Sequence, residues 1–315
     1  MANRDKLQAL IHSMSQVVIG KRDVAELLTC ALLCRGHVLV EDVPGVGKTS
    51  LALSLARSVG LTFRRIQFTP DVMPSDITGY TMFDQKKGEY SYHLGLVMSQ
   101  IVLADEINRA SPKTQSSLLE AMEERSVTVD GKSYKIPEPF MLLATQNPID
   151  LQGTYPLPEA QLDRFMLKVR VGYPEKDEEE MILRMHMTSE RALDQLSPVL
   201  SAAELAELQA EVRQVSIKPE LLRYMVEIVS ATRYHRDLSL GISPRGTIAL
   251  MQAAQAVAYM DGRSFVCPDD ITRMIPYVLA HRLVLKKEAI IAGRSATAIL
   301  AGIVSDVTIP TLEKA

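Results

Sequence analysis

The sequence predicts an α/β fold, a mostly parallel five-stranded sheet covered by helices, followed by an all-helical domain. Three observations predict it. Short apolar runs alternate with helical patterns through the first half of the chain, the signature of a parallel sheet with both faces covered. A Gly-rich turn joins the first apolar run to the helix after it. Beyond Tyr173-Pro174 the strand signals stop and helical patterns succeed one another. The length agrees: 315 residues, at roughly 150 per domain, make about two domains, 1–173 and 174–315.

Element by element, residues 3–17 and 21–35 read as helices, with Leu7, Leu10, Ile11 and Met14 at helical spacing. His37-Val38-Leu39-Val40 reads as a buried strand, Lys48 to Val59 as a helix stopped by Gly60, and Phe63 to Phe68 as a second strand. Ile101 to Ala104, Phe140 to Ala144 and Phe165 to Val169 complete the five strands, with a helix from Ser111 to Glu124 between two of them. Two hairpins interrupt this rhythm. Ser126 to Val129 and Ser133 to Ile136 flank Asp130-Gly131, a tight-turn signal. Thr81 to Phe83 faces Tyr90 to Tyr92 around Lys87-Gly88. In the second half, Glu175–Thr188, Ser201–Val215, Pro219–Tyr234, Pro244–Met260 and Pro268–His281 read as helices. Ser201, Ser243 and the Cys267-Pro268-Asp269-Asp270 start supply their caps.

Composition excludes several classes. Hydrophobic residues at 47% and charged residues at 23% are those of a globular chain, not of a disordered or collagen-like one. Thirty-five Lys+Arg against 38 Asp+Glu give a net charge of −3, so no global basic field would hold a nucleic-acid backbone. Three cysteines make no disulfide framework, and Cys30 and Cys34 have no further ligand nearby to complete a zinc site. Met1-Ala2-Asn3-Arg4-Asp5 begins a polar segment, and the apolar stretch from Ala289 to Pro310 is broken by Arg294 and Asp306. A cytoplasmic protein without a membrane span is expected.

The chemistry is carried by a few short segments. Glu41-Asp42-Val43-Pro44-Gly45-Val46-Gly47-Lys48-Thr49-Ser50 lies between a strand and a helix, the context of a phosphate-binding loop. Gly45 and Gly47 let backbone N–H groups turn toward an anion, and the helix start adds its dipole. Lys48 is placed to reach the β- and γ-phosphates and Thr49 to ligate Mg²⁺. Asp42 stands where the usual pattern has glycine. The apolar strand Ile101 to Ala104 ends in Asp105-Glu106. Asp105 is expected to hold Mg²⁺ through water, and Glu106 to orient and polarise the attacking water. Asn147, after the strand Phe140 to Ala144, falls at the sheet edge where ligands bind; taken alone it reads as a turn residue before Pro148. Arg164 and Arg245, each alone, read as surface ion pairs.

Together these residues resemble the AAA+ ATPases, and the MoxR group within them, from about Val18 to about Val304. The most specific stretches are Glu41 to Thr49, Asp105-Glu106-Ile107-Asn108-Arg109-Ala110 with Lys113-Thr114-Gln115, Ala144 to Pro148, Pro158 to Phe165 and Ser243 to Gly246. The resemblance implies an αβα nucleotide-binding core and a helical lid placed across the nucleotide, with ATP or ADP and Mg²⁺ as cofactors. It implies Walker A at Lys48 and Thr49, Walker B at Asp105 and Glu106, and sensor 1 at Asn147. Arg164 matches an arginine finger donated to a neighbouring subunit, with Arg109 as the next candidate, and Arg245 matches sensor 2. Val18, Ile19 and Gly20 match the segment against adenine. The hairpins match inserts shared with magnesium chelatase and MCM helicases. Members look like ring-forming, usually hexameric, chaperone-like machines that work with von Willebrand factor A domain proteins.

Two rivals follow from the same residues. One is a nucleic-acid motor, which the hairpins supply with too few basic residues for a phosphate-binding stripe, Lys132 and Lys135 in one and Lys86-Lys87 in the other. The other is a slow, nucleotide-gated scaffold. A small-molecule kinase would leave Asp105-Glu106, Asn147, Arg164 and Arg245 unexplained together. Tyr80, Tyr90 and Tyr92 read as hairpin packing rather than client contacts.

Overall fold

The computed structural model describes residues 3–86, 88–148, 153–187 and 192–310. Lys87 and Thr188, which enter the expectations above, lie outside these residues. Two helices, α1 (Asn3–Val17) and α2 (Arg22–Leu33), precede strand β1 (Val38–Glu41). Next come α3 (Lys48–Ser58), β2 (Phe63–Gln67), α4 (Pro74–Thr78) and the hairpin β3 (Gly79–Asp84) and β4 (Glu89–Leu94). Then follow β5 (Ile101–Asp105), α5 (Pro112–Glu124), the hairpin β6 (Ser126–Val129) and β7 (Lys132–Lys135), β8 (Met141–Gln146), α6 (Glu159–Leu162) and β9 (Leu167–Val169).

The sheet has five strands in the order β2-β5-β8-β1-β9, and every pairing within it is parallel. The three inner strands β1, β5 and β8 are buried almost throughout, whereas edge strand β2 is exposed along most of its length. That is why the inner strands read as unbroken apolar runs: both faces of each are covered. Because the strands are parallel, the sheet has two distinct edges. Loops that leave strands lie at one edge, and loops that lead into them lie at the other.

The second half contains α7 (Lys176–Met187), α8 (Ala202–Val212), α9 (Pro219–Arg233), β10 (Leu238–Leu240), α10 (Pro244–Met260), α11 (Pro268–Leu279), β11 (Val284–Leu285), α12 (Lys287–Ile291) and α13 (Ala296–Asp306). The caps act as their residue types dictate. Ser201 Oγ accepts from Glu204 N, Ser243 Oγ accepts from Gly246 N at 3.3 Å, and Asp270 accepts the Cys267 N–H at 2.7 Å. The helical half also carries a short antiparallel ribbon, β10 with β11, with no apolar alternation long enough to announce it. The interrupted apolar stretch after Ala289 forms α12 and α13, and among the described residues no helix is long and apolar enough to cross a membrane.

The lid does not sit where the resemblance implied. After β9 the chain forms α7 and then runs back along α3, where Val199 N–H donates to Ser58 O at 2.7 Å and Asp194 pairs with Arg57. α8 and α10 then pack on α2, and α11 on β9. One apolar cluster accordingly runs from Leu7 and Leu28 through Leu55 to Leu250, Ile271 and Ile299 without a break at residue 173. A second cluster, including Phe68, Ile107, Leu118 and Phe140, fills the other side of the sheet. The helical half is thus fused to the α1–α2–α3 face rather than hinged over the phosphate loop. Cys30 and Cys34 belong to this seam, their thiols meeting the carbonyls of Ala253 and Gln252.

A candidate nucleotide site divided between two sheet edges

The phosphate loop occupies the edge where β1, β5 and β8 end. Gly45 and Gly47 have φ of 89° and 88°, a region that side chains disfavour. Among the described residues a Cβ built on Gly45 would meet nothing within 4 Å, so the turn at the start of α3 is open there. Pro44 and Gly45 are exposed, and Val46, Lys48, Thr49 and Ser50 half-buried. Lys48 Nζ donates to Asp42 O at 2.9 Å. Burial pulls the Lys48 pKa down, and the charges of Asp105, Asp42 and Glu106 oppose this. Those acids therefore lie within electrostatic range of the lysine, as a site for a metal-bound triphosphate requires.

Asp42 explains its own departure from the glycine pattern. Its Oδ1 accepts the Val43 N–H at 2.8 Å, and its Oδ2 accepts those of Val171 at 2.7 Å and Gly172 at 2.6 Å. A buried carboxylate thus ties the loop to the segment leaving β9, and glycine could not. Next to it, Glu41 pairs with Lys168 at 2.7 Å and Arg170 at 2.9 Å. Burial raises the Glu41 pKa, but hydrogen bonds from these two cations outweigh it and hold the carboxyl below its ordinary range. Val18 lies over the loop: a Cβ on Gly47 would stand 3.7 Å from its Cγ1. Ile19 is half-buried beside it, and Gly20, at φ 74°, lies under the Glu178 carboxylate of α7.

Asp105 ends β5, and Glu106 follows in the left-handed region at φ 57°. Two residues that the sequence reading gave no role hold this pair. Thr145 Oγ1 donates to Asp105 Oδ1 at 2.6 Å and accepts the Glu106 N–H at 2.9 Å. Arg65 Nη2 meets Asp105 Oδ2 at 2.6 Å. Glu106 Oε2 accepts from Gln67 Nε2 at 3.2 Å and lies 3.5 Å from Arg109 Nε. Arg109 is therefore occupied with its own chain's Glu106. Asn147 follows β8 one step beyond the Glu41–Gln146 pairing, next to Asp42, whose N–H donates to Gln146 O. It thus joins Lys48, Asp105 and Glu106 at the same edge. These groups fit a nucleotide with Mg²⁺. Backbone N–H groups at the start of α3, Lys48 and Ser50 suit phosphates. The Thr49 hydroxyl and Asp105 suit the hard cation, Asp105 through water because both its oxygens already accept hydrogen bonds.

Arg164 and Arg245 lie elsewhere. Arg164 precedes β9 and Glu123 ends α5, so both sit at the edge where strands begin. Arg245, in the first turn of α10, joins them: Arg164 Nη2 and Arg245 Nη2 each pair with the Glu123 carboxylate, the former at 3.1 Å. The length of β1, four residues or about 13 Å, separates the end of the sheet that holds Lys48, Asp105 and Glu106 from the end that holds these arginines. Among the described residues, the arginines border a cavity of about 280 Å³ lined by six arginines (Arg35, Arg125, Arg164, Arg213, Arg245, Arg282) and two carboxylates, Glu123 and Asp163. Arg282, 5% exposed, fixes its wall through Asp163 Oδ1 at 2.8 Å and the carbonyls of Phe165 and Met166. Burial lowers the Arg282 pKa, opposed by Asp163.

The comparisons agree with this architecture. Residues 37–167 match the ATPase family associated with various cellular activities (AAA), and residues 230–303 match the AAA lid domain. YeaC of Bacillus subtilis is 50% identical over 100% of this chain and 99% of its own length. Chaperone MoxR1 of Mycobacterium tuberculosis is 41% identical over 96% of this chain and 82% of its own. A solved structure from Cytophaga hutchinsonii, 37% identical, superposes with a TM-score of 0.91 and covers 98% of this chain and 96% of that one. With a core and lid of this type and relatives this close, the chain belongs to the MoxR family of AAA+ ATPases.

Proposed function

We propose that this chain hydrolyses ATP with Mg²⁺ in a ring, usually a hexamer in such machines, whose active sites form between subunits, and that the cycle remodels or matures client proteins. One observation carries the reading. The groups suited to bind a triphosphate and activate water stand at one sheet edge, and Arg164 and Arg245 stand at the other. A single chain cannot bring the two sets onto one phosphate, but a neighbour packed edge to edge can. In this assignment Lys48, Thr49 and Asp105 hold the nucleotide and its metal, which when bound neutralises phosphate charge. Glu106 takes a proton from the attacking water as the bond between the γ-phosphorus and its bridging oxygen breaks, and Asn147 orients that water. Arg164 and Arg245 meet the developing charge from the adjacent subunit. Val18, Ile19 and Gly20 border the base. The division into a core of residues 1–173 and a lid of 174–315 belongs to the same reading, as does a von Willebrand factor A domain partner.

A protein client is favoured by the β3–β4 hairpin. Tyr80 stacks on His93 and Phe83 tilts against Tyr90 within the hairpin, yet Tyr80, Met82, Phe83 and Tyr90 remain exposed, Tyr90 by 77%, while Tyr92 is stacked on Tyr134 at 3.8 Å. Exposed aromatic and apolar side chains of this kind suit polypeptide contact better than a phosphate backbone. Mixing tests the divided site. Arg164→Ala should bind ATP normally yet lose about 10³–10⁵ of assembly-dependent turnover, the range for a donated arginine. Lys48→Ala should lose nucleotide binding. Mixed rings should recover part of the activity, since each subunit supplies the edge the other lacks. Wild-type turnover by Arg164→Ala alone would remove it from the site.

A further inference from the structure

We propose that Glu123 is a positioning residue that couples core to lid, its carboxylate bridging Arg164 and Arg245 so that both reach one phosphate of the neighbouring subunit. The proposal rests on the reading of those arginines as groups donated to a neighbour. Glu123 Oε2 takes Arg164 Nη2 and Oε1 takes Arg245 Nη2, from elements 41 and 122 residues away in sequence. Two guanidinium groups brought to one point repel, and the nearby charges would spread them apart. Of the two carboxylates that line this cavity among the described residues, Asp163 is already taken by Arg282 and by Ser243 Oγ at 2.9 Å. Glu123 is thus the anion left to hold the pair together.

The bridge also leaves the arginines able to act. Each guanidinium carries five N–H donors, and Glu123 engages one terminal nitrogen of each. The rest stay available to an incoming phosphate. The contact differs from an ordinary surface pair because both backbones are already fixed. Ser243 caps α10 two residues before Arg245 and donates to Asp163, the residue before Arg164. Arg282 binds the carbonyls of Asp163 and Phe165 on either side of Arg164. With the main chain set, closing the bridge costs side-chain rotamer freedom only, and the shared carboxylate holds the two side chains at a defined separation.

The test is steady-state ATP hydrolysis by the full chain as protein and ATP concentrations are varied. Glu123→Gln keeps the shape and removes the charge; Glu123→Asp keeps the charge. For Glu123→Gln, kcat should fall about 10–100-fold, the cost of misplacing a catalytic group by about 1 Å. KM for ATP and the melting temperature should stay near wild type, and Glu123→Asp should recover part of kcat. Adding Arg245→Ala should cost less in the Glu123→Gln background than in the wild type. If Glu123→Gln turns over at or above the wild-type rate while Arg164→Ala is inactive, Glu123 does not position the arginines, and the divided site stands. If Arg164→Ala itself is fully active, the reading beneath the proposal fails. Should Glu123→Gln not fold, the comparison of Glu123→Asp with wild type decides, an unchanged kcat counting against the bridge.

Discussion

The two edges of the central sheet are built by different means. At the edge where strands end, Gly45, Gly47, Lys48 and Thr49 come from one loop, and Asp105 and Glu106 from one strand end. Parallel pairing places them together with no help from the lid. At the edge where strands begin, Arg164, Arg245 and Glu123 come from α5, the turn before β9 and the first turn of α10. They meet only because the lid is welded to α2 and β9. The first edge is a local motif, and the second is a tertiary product. A change at the first should therefore alter turnover while the fold keeps its stability. A change at the second should act through packing and charge on the geometry offered to a neighbour.

The sharpest way to break this contrast is Glu106→Gln. The amide keeps the contact with Gln67 but takes no proton, so turnover should fall about 10²–10⁴-fold with ATP affinity retained. Near-normal steady-state turnover, alongside calorimetric binding like that of the wild type, would remove Glu106 from the base role. A smaller effect is expected at Thr145, which is fully buried and bonded to both Asp105 and Glu106. Thr145→Val conserves shape and leaves the Glu106 N–H without its acceptor, a cost of about 1–3 kcal/mol. If that cost falls on the orientation of Glu106, kcat drops about 10–100-fold by the same arithmetic. If it falls on folding, the melting temperature drops and kcat holds, which would place Thr145 in the scaffold instead of the site.

Legibility in the sequence followed the same division. The inner strands, α3, α10 and the Asp130-Gly131 hairpin were readable because each is decided by neighbours in the chain: apolar runs, a glycine pair, a capping serine ahead of proline. Asp42 was visible only as a departure, since its partners Val171 and Gly172 lie 129 and 130 residues away. Arg65 and Gln67 alternate on the end of edge strand β2, opposite Leu103 and Asp105, and that register appears only once the strands are paired. Thr145 stood inside the segment singled out for Asn147, yet a lone threonine carries no signal of what it bonds. The lid's position was the largest departure. Helix signals fix where helices start and stop, not which face of the core receives them, and residues 192–200 that steer the lid have no strong pattern.

Acid separates the two edges, with the smallest effect of all at working pH. His37 immediately precedes β1 at the arginine edge and is buried. Its Nδ1 accepts the Leu142 N–H at 2.9 Å, so Nε2 carries the proton and donates to Met122 O at 3.2 Å. Burial is the main reason its pKa falls from 6.5 to about 4. The folded state thus keeps His37 neutral while the unfolded chain takes up a proton below pH 6.5. Stability should be full above that pH, decline as pH falls toward 4, and level off below. The loss from His37 is under about 1 kcal/mol between pH 7 and 6, growing to about 3 kcal/mol at pH 4. His281, also buried and beside the Arg282 cation, is held well below its ordinary pKa and adds a slope of the same sign. His37→Gln preserves one acceptor and one donor without a titrating group. Urea midpoints for this variant should fall less steeply with pH than those of the wild type, with the His281 share remaining. Identical slopes would mean that His37 is not the acid-sensitive point of the arginine edge.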